Sequence, residues 1–436
     1  MPAYKSRQDI TIWAAAMLKR MPWPVILQII PELSAGGAER TAIDMAEAVT
    51  LGGGRALVVS AGGRLEDELQ KTGGELVRFP AKTKNPAAIL FNALRLVWLI
   101  RNRGVSLVHA RSRAPAWSAF AAARRTRRCF VTTYHGIYSQ NSRVNAFYNS
   151  VMARGDAVIC NSQYTARTVL DRHPSASARV GVIYRGVDLE EFDPASVPLE
   201  RVRALRERWG VSPGKRIVLL PARLTRWKGQ QVLIDAAAQL LPRGEFGDVA
   251  FVLAGDEQGR SAYRAELEAS IKAHGLAGQV IIAGHCDDMP AAYKAADFTV
   301  LPSTKAEAFG RSSIESQAMG CPVLASNIGA FPETIAPEPG LLESVGNAPG
   351  SATASQPPGA IPSPWLFEPG NPEALCDSLR CALAMDHATL ESLRKRGMER
   401  ARRNFSKKAL QLQTLTVYDR LLGTQLAETF KTASQR

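Results

Sequence analysis

The sequence predicts an α/β protein built from two parallel-sheet domains, and three observations carry that prediction. A chain of 436 residues exceeds what one ordinary core fills, which points to two domains of roughly 200 residues each. Short apolar runs alternate with stretches of helical periodicity along the whole chain. Glycines close most of those runs, where a strand has to turn tightly into a helix. The expected division is an extension over 1–24, a first doubly wound domain over 25–200, a linker over 201–215, a second over 216–405 and a terminal helix over 406–436.

In chain order, the leader places Ile10, Trp13, Met17 and Met21 at helical spacing beside Lys19 and Arg20. An interfacial helix and a disordered tail both fit it, and it lacks the basic-then-apolar order of a secretion signal. Val25-Ile-Leu-Gln-Ile-Ile reads as a buried strand, followed by the bend Pro31-Glu-Leu-Ser-Ala-Gly36-Gly37-Ala38-Glu39-Arg40 and a helix. Glycine there lets backbone amides approach a phosphate closely. Val105-Ser-Leu-Val-His109 and Phe130-Val-Thr-Thr-Tyr-His135-Gly136 each end a strand run in a histidine. Open α/β sheets bind ligands at the carboxyl ends of their strands, so both are candidates, His135 ahead of His109.

The second half opens with Ile217-Val-Leu-Leu-Pro-Ala-Arg223-Leu-Thr-Arg-Trp-Lys228-Gly229, a strand, a turn and two cations before a helix. Fixed Arg and Lys donors suit a leaving group whose negative charge grows as its bond breaks. Phe251-Val-Leu-Ala-Gly255-Asp256 and Val280-Ile-Ile-Ala-Gly284-His285 are strand-to-glycine turns. Next comes Pro302-Ser-Thr-Lys-Ala-Glu307-Ala-Phe-Gly310-Arg-Ser-Ser-Ile-Glu315-Ser-Gln-Ala-Met-Gly320-Cys-Pro322-Val. Glu307 falls in a loop and Glu315 in the first turns of a helix, where its side chain leans back toward the helix N-terminus. The amides after Phe309-Gly310 and the helix pole make an anion seat, with two carboxylates on its rim to accept hydroxyl hydrogen bonds. A ligand joining a phosphate to a polyol fits. Residues 337–364, rich in Pro, Gly, Ser and Ala, read as a flexible insertion.

Charge is unevenly placed. From Leu76 through Gly155 there are 14 Lys or Arg and no Asp or Glu, matching the formal excess of +14 for the whole chain. That field attracts polyanions: lipid headgroups, phosphorylated sugars or nucleic acid. No nucleic-acid-binding motif accompanies it, so nucleic acid is set aside. No apolar run approaches the roughly 20 residues of a membrane span. The six cysteines show no paired metal spacing, which points to a reducing compartment and no zinc site. There is no Asp-x-Asp pair to hold a divalent cation, and no cofactor is expected.

The two glutamates with seven residues between them, the Phe-Gly inside and the Gly-x-Pro-Val beyond resemble the signature of retaining glycosyltransferase family four, and the likeness spans roughly residues 25 to 420. It implies a GT-B fold, two Rossmann-like domains facing a central cleft, with the terminal helix crossing back to the first. It implies that Glu307 contacts hydroxyls of a donor sugar and Glu315 the ribose of its nucleotide. Arg223 and Lys228 would hold the diphosphate, and Gly36, Gly37 and Glu39 would close over the donor diphosphate and the acceptor. His135 would stand beside the reacting centre, and Gly284 near the base. Phe309, Gly310, Arg311 and His109 complete the expected binding set. The chain departs at Arg185 in Arg185-Gly186-Val-Asp188, where the family commonly has Asn.

The expected activity is retaining, metal-independent transfer of a hexosyl-type sugar from a nucleotide-diphosphate sugar. The expected acceptor is a lipid-linked or phosphorylated glycan, in lipopolysaccharide or exopolysaccharide assembly. The expected place is the cytoplasm, peripheral on the inner face of an anionic membrane. A GT-B nucleotide-sugar epimerase or hydrolase, and a non-catalytic polyanion-binding protein, are the alternatives.

Overall fold

The computed structural model describes residues 23–435 apart from 35, 84, 139–141, 242–245 and 336–364. The leader helix and the 337–364 insertion expected from the sequence lie outside the described residues. β1 (Val25–Ile29), β2 (Arg55–Ser60), β3 (Glu75–Arg78), β4 (Val105–Ala110), β5 (Cys129–Tyr134), β6 (Ala157–Cys160) and β7 (Val180–Val182) form one sheet in the order β3-β2-β1-β4-β5-β6-β7. A second sheet runs β10-β9-β8-β11-β12-β13, built from β8 (Arg216–Pro221), β9 (Val249–Ala254), β10 (Val280–Gly284), β11 (Phe298–Leu301), β12 (Val323–Ser326) and β13 (Leu366–Phe367). Every pairing is parallel. Two Rossmann-like domains result.

Parallel pairing follows from the apolar runs. β1 and β9 are buried along their whole length, which requires cover on both faces and therefore helical crossovers. Val25, Leu27 and Ile29 enter one apolar layer and Ile26 and Ile30 the other, the two-residue alternation of a strand. Each strand order reverses once, between β1 and β4 and between β8 and β11. Loops leaving the carboxyl ends diverge at such reversals and open a crevice. The Gly36-Gly37 bend follows β1. The Arg223–Lys228 turn and the Glu307 loop follow β8 and β11.

Residues 201–215, expected as a linker, pack on the second sheet. Leu205, Trp209 and Val211 are buried with Ile217 and Leu219 of β8, because the apolar positions of the Leu199–Arg208 helix and its exit fall on one side. The carboxyl edges of the two sheets face each other. Ser162 Oγ donates to Ala308 O at 2.6 Å, and the Glu333 carboxylate accepts from Gln163 N at 2.7 Å and Tyr164 N at 2.9 Å. Asp188 and Lys407, on the two strands of chain that cross between domains, pair at 2.7 Å. Beyond that crossing the Lys407–Leu422 helix lies on the first domain, where Gln411 Nε2 donates to Asp44 O at 2.7 Å.

Candidate active site in the interdomain cleft

The two loops of the second switch point meet. Lys228 Nζ stands 2.7 Å from Glu307 Oε1, and Ser303 Oγ donates to the same oxygen at 2.6 Å. Gly229 makes the approach possible. It sits at φ +77, and a Cβ there would lie 1.8 Å from Pro302 O, so only glycine lets the two loops touch. Gln230 is buried and its Nε2 donates to Arg223 O at 2.9 Å, fixing the turn that carries both cations. Arg223 itself is exposed, with Nη1 donating to Gln258 Oε1 at 3.1 Å.

Gly310, in left-handed backbone at φ +76, opens the Arg311–Ala318 helix. Glu315 lies on that helix as expected. It is buried, pairs with Arg311 Nη2 at 2.7 Å and accepts from Tyr293 Oη at 3.2 Å. The carboxylate beside Arg311 raises the guanidinium pKa against the opposing effect of burial. Across the cleft, a Cβ on Gly37 would lie 2.5 Å from Arg185 Nη1 and 3.2 Å from Arg311 Cδ. The glycine bend therefore brings the first domain against cations from both domains. Glu39 folds back over the bend, its carboxylate filling the place of a Gly36 side chain.

His135 stands at the same wall. Its Nδ1 receives Arg185 Nη2 at 2.9 Å, and burial, with the Arg185 charge second, holds its pKa well below the ordinary 6.5. It is therefore a neutral ring near pH 7.

Two expected site residues take other places. His109 is fully buried, with Nδ1 bonded to Tyr418 Oη at 2.6 Å and Nε2 to Thr133 Oγ1 at 2.7 Å. Both ring nitrogens are taken, so it anchors the terminal helix and does not face a ligand. The Phe309 ring is in the core between Tyr184, at 6.2 Å, and Phe405, at 6.0 Å. Apolar burial outweighs cleft exposure there, and the residue anchors the Glu307 loop. Gly284, expected near the base, ends the edge strand β10 at φ +71 as the strand-to-glycine turn predicts. Three contributors carried no distinct sequence signal of this role: Ser303, Tyr293 and Gln230. Only Gln28, polar within the apolar β1 run, marked a buried polar contact, and it accepts from Arg111 Nε at 2.5 Å.

A family model described as Glycosyltransferase Family 4 matches residues 35–191, and one described as Glycosyl transferases group 1 matches residues 202–354. A solved glycosyltransferase from Rickettsia africae ESF-5 superposes with a TM-score of 0.80 and 30% identity, over 92% of this chain and 99% of that one. The chain belongs to glycosyltransferase family four. Its fold is GT-B, as in these neighbours. Among curated relatives of this family four chain, D-inositol 3-phosphate glycosyltransferase of Salinispora arenicola is 35% identical over 42% of this chain and 42% of its own length. Lipopolysaccharide core biosynthesis mannosyltransferase LpsB of Rhizobium meliloti is 33% identical over 42% of this chain and 49% of its own length. The chain thus spans under half the length of these curated relatives.

Proposed function

We propose that this family four chain is a retaining glycosyltransferase that moves a hexosyl group from a nucleotide-diphosphate sugar to a lipid-linked or phosphorylated glycan. The observation carrying this reading is the meeting of Lys228 and Glu307 at 2.7 Å, across the second switch point and opposite the Gly37 bend. The diphosphate sits by Arg223, Lys228 and the amides opening the Arg311–Ala318 helix. Glu315 holds the ribose and Glu307 orients the sugar. The acceptor oxygen bonds to the anomeric carbon on the face the diphosphate leaves, the carbon–oxygen bond to phosphate breaks, and the acceptor proton passes to the departing phosphate oxygen. Arg223 and Lys228 stabilise the charge that grows there, with no metal required. The LpsB likeness and the basic first domain support an anionic acceptor in surface-polysaccharide assembly.

The test is product analysis. Nucleotide sugars incubated with the protein and lipid-linked glycan are expected to yield a new glycosidic bond of unchanged anomeric configuration by NMR. Free sugar, or an epimerised nucleotide sugar with no glycan bond formed, would contradict the reading and favour a hydrolase or epimerase.

The acceptor reading includes an anionic membrane surface. Leu90, Phe91, Leu94 and Trp98 line one side of the Pro86–Asn102 helix and are each at least 60% exposed, as is Phe147 on the Arg143–Ser150 helix. Both helices pack on Arg113–Thr126, through Ser118 Oγ to Ile89 O at 2.9 Å and Trp117 stacked on Phe147. Arg95 and Arg154 lie over the Phe91 and Phe147 rings. Apolar side chains ringed by cations fit the interface of an anionic bilayer. No described helix is long and apolar enough to cross one. Leu94→Glu with Trp98→Glu is expected to weaken co-sedimentation with phosphatidylglycerol vesicles at least about ten-fold, since each buried apolar side chain contributes about 1.5–3 kcal/mol. Undiminished sedimentation would remove this surface.

A further inference from the structure

We propose that Arg111, His135 and Arg185 form an oxyanion subsite on the first-domain wall of the cleft, separate from the Arg223–Lys228 seat, taking a phosphate or carboxylate group of a substrate. The inference rests on the transferase reading only for which molecule brings the anion.

The hydrogen bonds dictate the chemistry. A guanidinium has donors and no acceptor, so Arg185 Nη2, 2.9 Å from His135 Nδ1, donates to a ring lone pair. The proton of the neutral imidazole is then on Nε2. That nitrogen is buried and has no partner among the described residues. Arg185 Nε and Arg111 Nη2 are likewise buried without a partner among them. Three unfilled positions therefore exist, and all are donors. A hydroxyl would satisfy at most part of such a set, whereas an oxyanion offers several acceptor lone pairs and no proton to place.

Position and charge agree. Arg111 follows β4, His135 follows β5 and Arg185 lies just beyond β7, all at the carboxyl edge of the first sheet. Arg111 is 2% exposed, with Nε held by Gln28 Oε1 at 2.5 Å. Among the described residues neither Arg111 nor Arg185 has a direct carboxylate partner; Asp44 and Glu39 act on them at longer range, and Tyr418 bonds Arg111. Burial lowers the Arg185 pKa to about 10, with the Arg311 and Arg111 charges acting in the same direction and the Glu39 carboxylate opposing them. Crowded, buried cations that carboxylates offset only at longer range are costly unless a further anion joins them. The absent Gly37 side chain leaves Arg185 Nη1 its room on the cleft side. Asn, common in the family at position 185, would bring neither the charge nor the reach.

The test is calorimetry with inorganic phosphate and with nucleoside diphosphates on the parent, Arg185→Gln, and the Arg223→Ala, Lys228→Ala double variant. Loss of a charged hydrogen-bonding group predicts phosphate affinity at least about ten-fold weaker in Arg185→Gln and unchanged in the double variant. Nucleotide binding should show the reverse. Phosphate binding alongside nucleotide assigns the anion to the acceptor. Displacement of phosphate by nucleotide would place the anion in the diphosphate seat and overturns a separate subsite. Equal phosphate affinity in parent and Arg185→Gln, or loss confined to the double variant, overturns the subsite. If Arg185→Gln does not fold, ring nitrogen-15 NMR of the parent decides: phosphate should move the His135 Nε2 resonance, and an unmoved resonance also overturns the proposal. Failure of phosphate with nucleotide binding intact removes only the subsite, whereas absent nucleotide binding strikes the transferase reading itself.

Discussion

Lys228→Ala is expected to lower kcat by about 10²- to 10³-fold, the cost of removing one fixed donor from a developing oxyanion. The same change should destabilise the fold, because Glu307, whose side chain is 12% exposed, would keep only Ser303 as a partner. Breaking such a half-sheltered pair costs about 2 kcal/mol, less than the fully buried case. The two effects can be separated. Adding Glu307→Gln to Lys228→Ala removes the uncompensated charge and should restore most of the lost melting temperature while turnover stays low. Recovery of both would make the pair a structural clamp and remove Lys228 from the chemistry.

Glu315→Gln is expected to weaken nucleoside diphosphate binding about 30-fold while leaving pyrophosphate affinity nearly unchanged. The amide keeps the size of the side chain and an acceptor oxygen for Arg311, while its NH2 can donate to the Tyr293 hydroxyl, but it loses the charge that strengthens hydrogen bonds to ribose hydroxyls, a difference of about 2 kcal/mol. Pyrophosphate has no ribose, so it reports only on the anion seat. An equal loss for both ligands would mean that Glu315 acts by positioning Arg311, its partner at 2.7 Å.

The parts of the site legible in the sequence are those whose signals are local. The apolar run of β1, the Gly36-Gly37 bend, the Arg223 to Lys228 spacing and the paired glutamates each declare themselves within a few residues, and strand order then brings them to two facing switch points. What stayed hidden depends on distant partners. His109 at a strand end resembles His135 at a strand end, and only Tyr418, 309 residues further on, diverts the first into the core. Phe309 looks like part of the ligand loop until Tyr184 and Phe405 close around it. Tyr293 lies in a short apolar helix with nothing to mark its hydroxyl as the partner of Glu315. The 201–215 segment carries charges that read as a linker, and its burial rests on Leu205, Trp209 and Val211 finding β8. Arg185 was visible as a departure from family habit. Its consequence needed the His135 contact, 50 residues back.

The claim on which everything else depends is that the crevice between β8 and β11 is a nucleotide-diphosphate seat. Calorimetric titration of UDP, GDP, ADP and TDP into the parent and the Arg223→Ala, Lys228→Ala variant tests it most directly. One nucleotide binding the parent, with affinity at least about 100-fold weaker in the folded variant, is the predicted result, since two charge-assisted contacts are lost. Equal binding to both proteins, or no binding of any of the four to the parent, would contradict it.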